Sequence, residues 1–275
     1  MSAPFLFLGA SDIQAFGICK DWRCRIHKFK AATAKGLGQG NQNSQKILQI
    51  VQRARSTRVV VWMFGTVDVK FSFLHKLCTQ QDVESDSTMM MCAVRYMEFV
   101  KRVHSLLPPA AKTIVIGVEP NNTPPIRLFE QCVKYRVMAD TEENKRIVKD
   151  EVARQHPEAM RQTFNDILQH LCKVNGFEYL DIDDGLLTDC RDPNVSVVTP
   201  VYRDAYELCI HLNWEGTVAL YQPKLRALGV DLHIDLGELE RTRKEYLEEK
   251  AARPQKRKAM DDRLGIDSEP VTKRC

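Results

Sequence analysis

Arg58-Val59-Val60-Val61-Trp62-Met63-Phe64, stopped by Gly65, is the stretch on which the fold turns. After the arginine every side chain is apolar, and three in a row are β-branched, so the run suits an extended strand. No polar residue alternates with the apolar ones. A strand of that kind is covered on both faces, as strands inside a parallel sheet are. Two other runs share the pattern. Pro4-Phe5-Leu6-Phe7-Leu8 is stopped by Gly9, and Thr113-Ile114-Val115-Ile116-Gly117-Val118 runs into the turn-rich Glu119-Pro120-Asn121-Asn122.

Outward from these runs, Phe177 to Ile182 predicts a further strand, and residues from about Ile26 to Ala32 a fifth. Lys35 to Asn41, with Gly36, Gly38 and Gly40, reads as a loop. Asn43 or Ser44 caps a helix with Ile47, Leu48, Ile50 and Val51 on its inner face. Helices are also predicted over about Ser87 to Leu107, Glu142 to Asn175 with a break near Pro157 and a stop at Gly176, and Trp214 to Leu228. Met89-Met90-Met91 and the stripe of Val94, Met97 and Phe99 read as helix core or partner surface. Strands alternating with helices predict an α/β fold: a flavodoxin-like three-layer αβα sandwich on a mostly parallel five-stranded sheet. The expected organisation is an α/β domain over 1–235, a charged helix over 236–252 and a disordered basic tail over 253–275.

The 275 residues are 44% hydrophobic and 28% charged, which excludes a disordered, collagen-like or low-complexity chain. The net charge of +4 gives no case for nucleic acid or a membrane surface. The stretch from Ala251 to Cys275 holds seven basic and four acidic residues, a net of +3, leaving +1 for the rest. Nine cysteines, an odd number with no CxxC pair, suit reduced thiols rather than a disulfide framework or a zinc site. No apolar run nears the roughly 20 residues of a membrane span, and Phe5-Leu6-Phe7-Leu8 lacks the basic flank of a signal segment. The expectation is a cytoplasmic protein, or a nuclear one if Lys256-Arg257-Lys258 and Lys273-Arg274 act as an import signal. The basic tail is also a candidate surface for a protein partner.

Ligands of an open parallel sheet bind beyond the carboxyl ends of the strands. The residues there are Gly9-Ala10-Ser11-Asp12, the glycine-rich turn at Gly36, Gly65-Thr66-Val67-Asp68, Glu119-Pro120-Asn121-Asn122 and Asp183-Asp184, with His211 ahead of the last helix. A hydroxyl, an imidazole and backbone donors are the parts of serine acyl transfer. Three aspartates, Asp181, Asp183 and Asp184, would suit a hard cation, but carboxylates entering a turn are the commoner case. The other histidines have no ligand spacing, so no metal or cofactor is expected. Lys35 to Gly40 matches neither nucleotide-binding glycine pattern.

These residues resemble the conserved blocks of the SGNH, or GDSL-type, hydrolases. Gly9-Ala10-Ser11-Asp12 looks like the first block, Gly36 stands at the second-block glycine, and Gly65-Thr66-Val67-Asp68 looks like the third, Gly-x-Asn-Asp. Ile210-His211-Leu212-Asn213-Trp214-Glu215-Gly216 is close to the last block, Ile-His-Leu-Asn-Pro-Glu-Gly. The blocks come in family order over Pro4 to Leu228. The resemblance implies Ser11 as nucleophile, His211 as base, and the N–H groups of Ser11 and Gly36 as oxyanion donors. It implies an ester substrate, an O-acetyl or other small acyl group on a small molecule or glycan. This chain departs at three places: Ala10 replaces the first-block aspartate, Val67 the oxyanion asparagine, and Leu208 the aspartate three residues before the histidine. Gly65, Asp68, Asp204 and Glu207 are the candidate supports, the three acids as substitutes for the missing carboxylate. The competing expectation is an interaction protein that kept the fold and lost the chemistry.

Overall fold

The uninterrupted apolar runs form the middle of one sheet. A computed structural model describes residues 4–19, 21–80, 83–184, 186–187, 198–199, 211–233 and positions 237 and 241. Its strands are β1 (Phe5–Gly9), β2 (Cys24–Lys28), β3 (Val59–Met63), β4 (Lys112–Ile116) and β5 (Glu178–Leu180). They lie in the order β2-β1-β3-β4-β5, and every pair is parallel. The register sets Phe7 between Ile26 and Val61, and Val61 beside Ile114. All five residues of β1 and of β3 are buried. A strand with no wet face needs no polar alternation, which is why none is seen.

Helices fill the crossovers: α1 (Ala34–Gly38) and α2 (Gln42–Arg53) between β2 and β3, α3 (Phe73–Gln80) and α4 (Ser85–His104) between β3 and β4. Between β4 and β5 come α5 (Leu128–Lys134), α6 (Glu142–Arg154) and α7 (Pro157–Asn175). A 3-10 helix, Ser11–Cys19, joins β1 to β2, and α8 (Trp214–Ala227) follows β5. Right-handed crossovers place α1, α4 and α7 on one face, and the 3-10 helix with α8 on the other. The contacts agree: α4 packs between α1 and α7, and α8 packs on the 3-10 helix. The sheet thereby divides two cores. Leu6, Leu8, Val60, Trp62 and Val115 face the first, where the Trp62 ring meets Tyr96 and Phe99 edge-on at 6.4 and 6.1 Å. In the second, Phe7 packs on Phe16 at 5.0 Å, and Phe16 on Tyr221 of α8 at 5.3 Å.

Several expectations need correction. The strand expected over Ile26 to Ala32 starts at Cys24 and ends at Lys28. The loop expected over Lys35 to Asn41 is helical in its first half, because caps and packing outweigh its glycines: Thr33 and Asp68 satisfy the first N–H groups of α1, and α4 covers it. The break expected near Pro157 is present: α6 ends at Arg154, and Pro157 opens α7 at a position proline suits. Of the methionine stripe, Met89, Met97 and Phe99 are core, while Met90 and Met91 face outward. The chain divides into Met1–His233 and Ile234–Cys275. The helix and tail expected over 236–252 and 253–275, positions 237 and 241 apart, lie outside the described residues, as do Asp204, Glu207 and Leu208. Among the described residues no helix is long and apolar enough to cross a membrane.

Candidate active site

In a sheet of order 2-1-3-4-5 the crossovers diverge between β1 and β3, and the crevice opens beyond the carboxyl ends of those two strands. The chain leaves β1 at Ala10, whose N–H donates to the Met63 carbonyl at the end of β3, 2.9 Å away. Ser11 and Asp12 are then the first two residues of the 3-10 helix, where backbone N–H groups have no intrahelical partner. Ser11 is half-buried and Asp12 buried. Opposite them β3 turns sharply at Gly65, which has φ +118°. A Cβ there would lie 2.6 Å from the Phe164 ring and 2.8 Å from Val118. Only glycine fits both the backbone and the space.

That turn brings Thr66 to Asp12. The Thr66 hydroxyl donates to Asp12 Oδ2, and Asp12 Oδ1 lies 3.5 Å from His211 Nε2. The Asp12 side chain is 2% exposed and that of His211 20%. His211 precedes α8, whose first turn is held by Asn213: its Oδ1 accepts from Gly216 N–H and its carbonyl from Thr217 N–H. Asn213 thus caps α8 two residues after His211. The Trp214 ring flanks the imidazole at 6.2 Å, nearly perpendicular.

Ser11 and His211 line one cleft of about 600 Å³. Its walls are Val67, Phe71, Tyr135 and Val137, with Lys30, Ala31, Ser72, His75 and Lys76 completing them. Ala31 holds a left-handed backbone, φ +55°. The structure therefore brings the predicted nucleophile and base to the same place. Gly36 is not among the lining residues. It is buried in α1, and its N–H donates to Thr33 Oγ1 at 3.0 Å.

Asp68 also faces α1. Its carboxylate accepts from the N–H groups of Ala34 and Lys35 at 2.5 and 3.3 Å. Burial pushes this acid up to about 6, although both backbone bonds pull the other way. It ties the β3 loop to the helix over the cleft and does not touch His211. Asp183 accepts from the Arg161 guanidinium at 2.6 and 3.1 Å, and Lys224 lies 3.0 Å from Asp184 and 3.9 Å from Asp181. The aspartates after β5 serve ion pairs.

Beneath Asp12 lies a buried set of charges that the sequence reading passed over. Lys70 donates to the Pro120 carbonyl at 3.2 Å. Burial lowers its ammonium, and the carboxylates of Asp12 and Glu119 work against that. Glu119 accepts from Tyr221 Oη at 3.0 Å. Burial and the Asp12 charge hold Glu119 well above the usual carboxylate range, opposed by Lys70. Asp12, Lys70 and Glu119 each follow a different strand, so one charge per strand end was the available signal.

The fold and the cleft together define a doubly wound α/β protein with a serine, a histidine and a carboxylate gathered at its switch point. No protein-family model matches the sequence, and no curated protein does. Among solved structures, the chain is similar to phospholipase A1 from Streptomyces albidoflavus, with 13% identity and a TM-score of 0.46 over 82% of this chain and 99% of that one. It is also similar to an extracellular lipase from Streptomyces rimosus, with 15% identity and a TM-score of 0.43 over 81% and 98%. A carbohydrate acetylesterase from Sinorhizobium meliloti gives 15% and 0.43 over 82% and 98%.

Proposed function

We propose that this protein is a serine hydrolase of the SGNH type that cleaves an ester through an acyl-enzyme. The observation that carries the reading is the Asp12 carboxylate 3.5 Å from the His211 ring, in a cleft that Ser11 also lines. With Nε2 turned to Asp12, His211 takes the hydroxyl proton on Nδ1 as Ser11 Oγ attacks the ester carbonyl, then passes it to the departing alcohol. Water, activated by the same histidine, releases the acid. Asp12 stabilises the imidazolium formed in each half-reaction, the part a third acid plays in a triad. The carboxylate itself is held by Thr66, so it reaches the histidine in one orientation. The oxyanion meets the N–H of Ser11 and the positive end of the helix that starts there.

A fluorophosphonate probe is expected to label Ser11, and Ser11→Ala to abolish both labelling and turnover of p-nitrophenyl acetate. Asp12→Asn is expected to lower kcat by about 10²–10⁴-fold while the protein stays folded. Full activity in Ser11→Ala sinks the reading. Two observations favour a non-catalytic interaction protein: the Gly36 N–H is given to Thr33, and Val67 has no donor for the position where the family keeps asparagine. A folded protein that no probe labels supports that alternative. The thiols of Cys78, Cys92, Cys132 and Cys172 are free, which suits the cytoplasm or nucleus as the site of action.

A further inference from the structure

The cleft is apolar along one wall and basic at its mouth. Val67, Phe71, Tyr135 and Val137 form the wall, Lys30, His75 and Lys76 the mouth, and among the described residues no aspartate or glutamate lines it. Lys35 stands beside Lys76: that neighbour is the chief cause holding its ammonium below the usual lysine range, and Arg95 acts the same way. Among the described residues no carboxylate forms an ion pair with Lys30, Lys35 or Lys76. Of the described acids beside the cleft, Asp12 is buried against Thr66 and His211, and Asp68 is buried and committed to the N–H groups of Ala34 and Lys35. Residues 1–250 carry a net charge of only +1, so basic groups gathered at one cleft are a local arrangement. Like charges held together without a counter-charge raise the energy of the empty cleft, and an anion entering between them relieves it.

Resting on the hydrolase reading, we propose that the ester this cleft takes is an anionic amphiphile. Its apolar part lies along Val67, Phe71, Tyr135 and Val137, and its phosphate or carboxylate is held at the mouth by Lys30 and Lys76, with Lys35 behind. The scissile carbonyl then lies between that anion and Ser11. The Nδ1 atom of His75 lies 2.9 Å from the Val137 carbonyl, which fixes its ring at the same rim.

Two measurements separate this proposal from the reading beneath it. Turnover is compared for 4-nitrophenyl butyrate and for the mono-4-nitrophenyl ester of glutaric acid, one neutral and one anionic. The anionic ester is expected to have the lower KM at low salt, with the advantage shrinking as salt is added. In the double variant Lys30→Glu/Lys76→Glu the ratio of kcat/KM, anionic over neutral, is expected to fall about tenfold or more. Equal ratios in both proteins overturn the anion site. Calorimetry on Ser11→Ala needs no turnover. Hexyl phosphate is expected to bind at least about tenfold more tightly than inorganic phosphate or hexanol, because it alone meets wall and mouth together. Inorganic phosphate binding as well as hexyl phosphate overturns the proposal, as does no binding of either. Hexyl phosphate binding with no esterase activity in the parent chain overturns the hydrolase and leaves the anion site standing. Lys30→Gln/Lys76→Gln, with smaller changes of the same sign, guards against misfolding of the charge-reversed form.

Discussion

Asp12 and His211 are nearly 200 positions apart in the chain; α8 packing on the 3-10 helix brings them together, and a single turn at Gly65 adds Thr66 to hold the carboxylate. Its left-handed backbone lets β3 end abruptly and puts Thr66 beside Asp12. A side chain at this position must take a strained φ and push into the Phe164 ring and Val118. Each of those effects costs about 1–3 kcal/mol. Gly65→Ala is therefore expected to lose about 2–5 kcal/mol in urea unfolding. Because Thr66 shifts with the turn, the variant should also lose more catalytic activity at low temperature than its unfolded fraction explains. A variant as stable as the parent shows that the turn is not strained. That Asp12 faces the histidine was out of reach of the sequence. Candidate carboxylates were sought where the family keeps one, near His211 at Glu207 or Asp204, or in the third block at Asp68. The one that faces His211 is made a neighbour by tertiary structure alone, and no local pattern encodes it.

At the scale of elements, legibility followed burial. The strands β1, β3 and β4 were read closely because a doubly covered strand writes itself as an unbroken apolar run. Helix α1 was missed for the opposite reason. Glycine disfavours a helix by about 1 kcal/mol at each occurrence, and α1 contains Gly36 and Gly38. A Cβ at Gly38 would sit 2.5 Å from the Arg95 carbonyl: the glycine that argued for a loop is what lets α1 lie against α4. Another element was legible only by its ends. Helix α7 starts at Pro157, and in its second turn it carries Arg161, 2% exposed. The guanidinium donates to the Val118 carbonyl at 2.8 Å, to Asp183 and to Glu158. One side chain thereby joins α7 to the ends of β4 and β5. Arg161→Met leaves two partly buried carboxylates without their cation and is expected to cost about 3–5 kcal/mol. Adding Glu158→Gln and Asp183→Asn should recover part of that loss. A melting temperature for Arg161→Met within a degree or two of the parent contradicts the clamp.

Across the whole molecule the buried acids Asp12, Asp68 and Glu119 follow the carboxyl ends of β1, β3 and β4, so stability and chemistry share the same pH axis. Asp68 is the clearest instance. It is 1% exposed and tied to the first turn of α1. Burial raises its carboxyl to about 6, against about 3.9 in an unfolded chain. Between those values the folded protein keeps a proton that the unfolded chain has lost. Unfolding then releases a proton, and stability falls as pH rises. The contribution of Asp68 is whole below about pH 4, declines through about pH 6 and is gone above it. At two pH units of separation this is on the order of 3 kcal/mol. Asp68→Asn keeps an oxygen to accept from Ala34 and Lys35 and removes the titration. Urea midpoints measured from pH 4 to 8 should therefore fall less steeply in the variant, with the whole difference arising between pH 4 and 6. Glu119 titrates in both proteins and cancels from the comparison. Parallel curves would place the Asp68 carboxyl in its ordinary range and leave the two backbone bonds to α1, rather than burial, as what decides its charge.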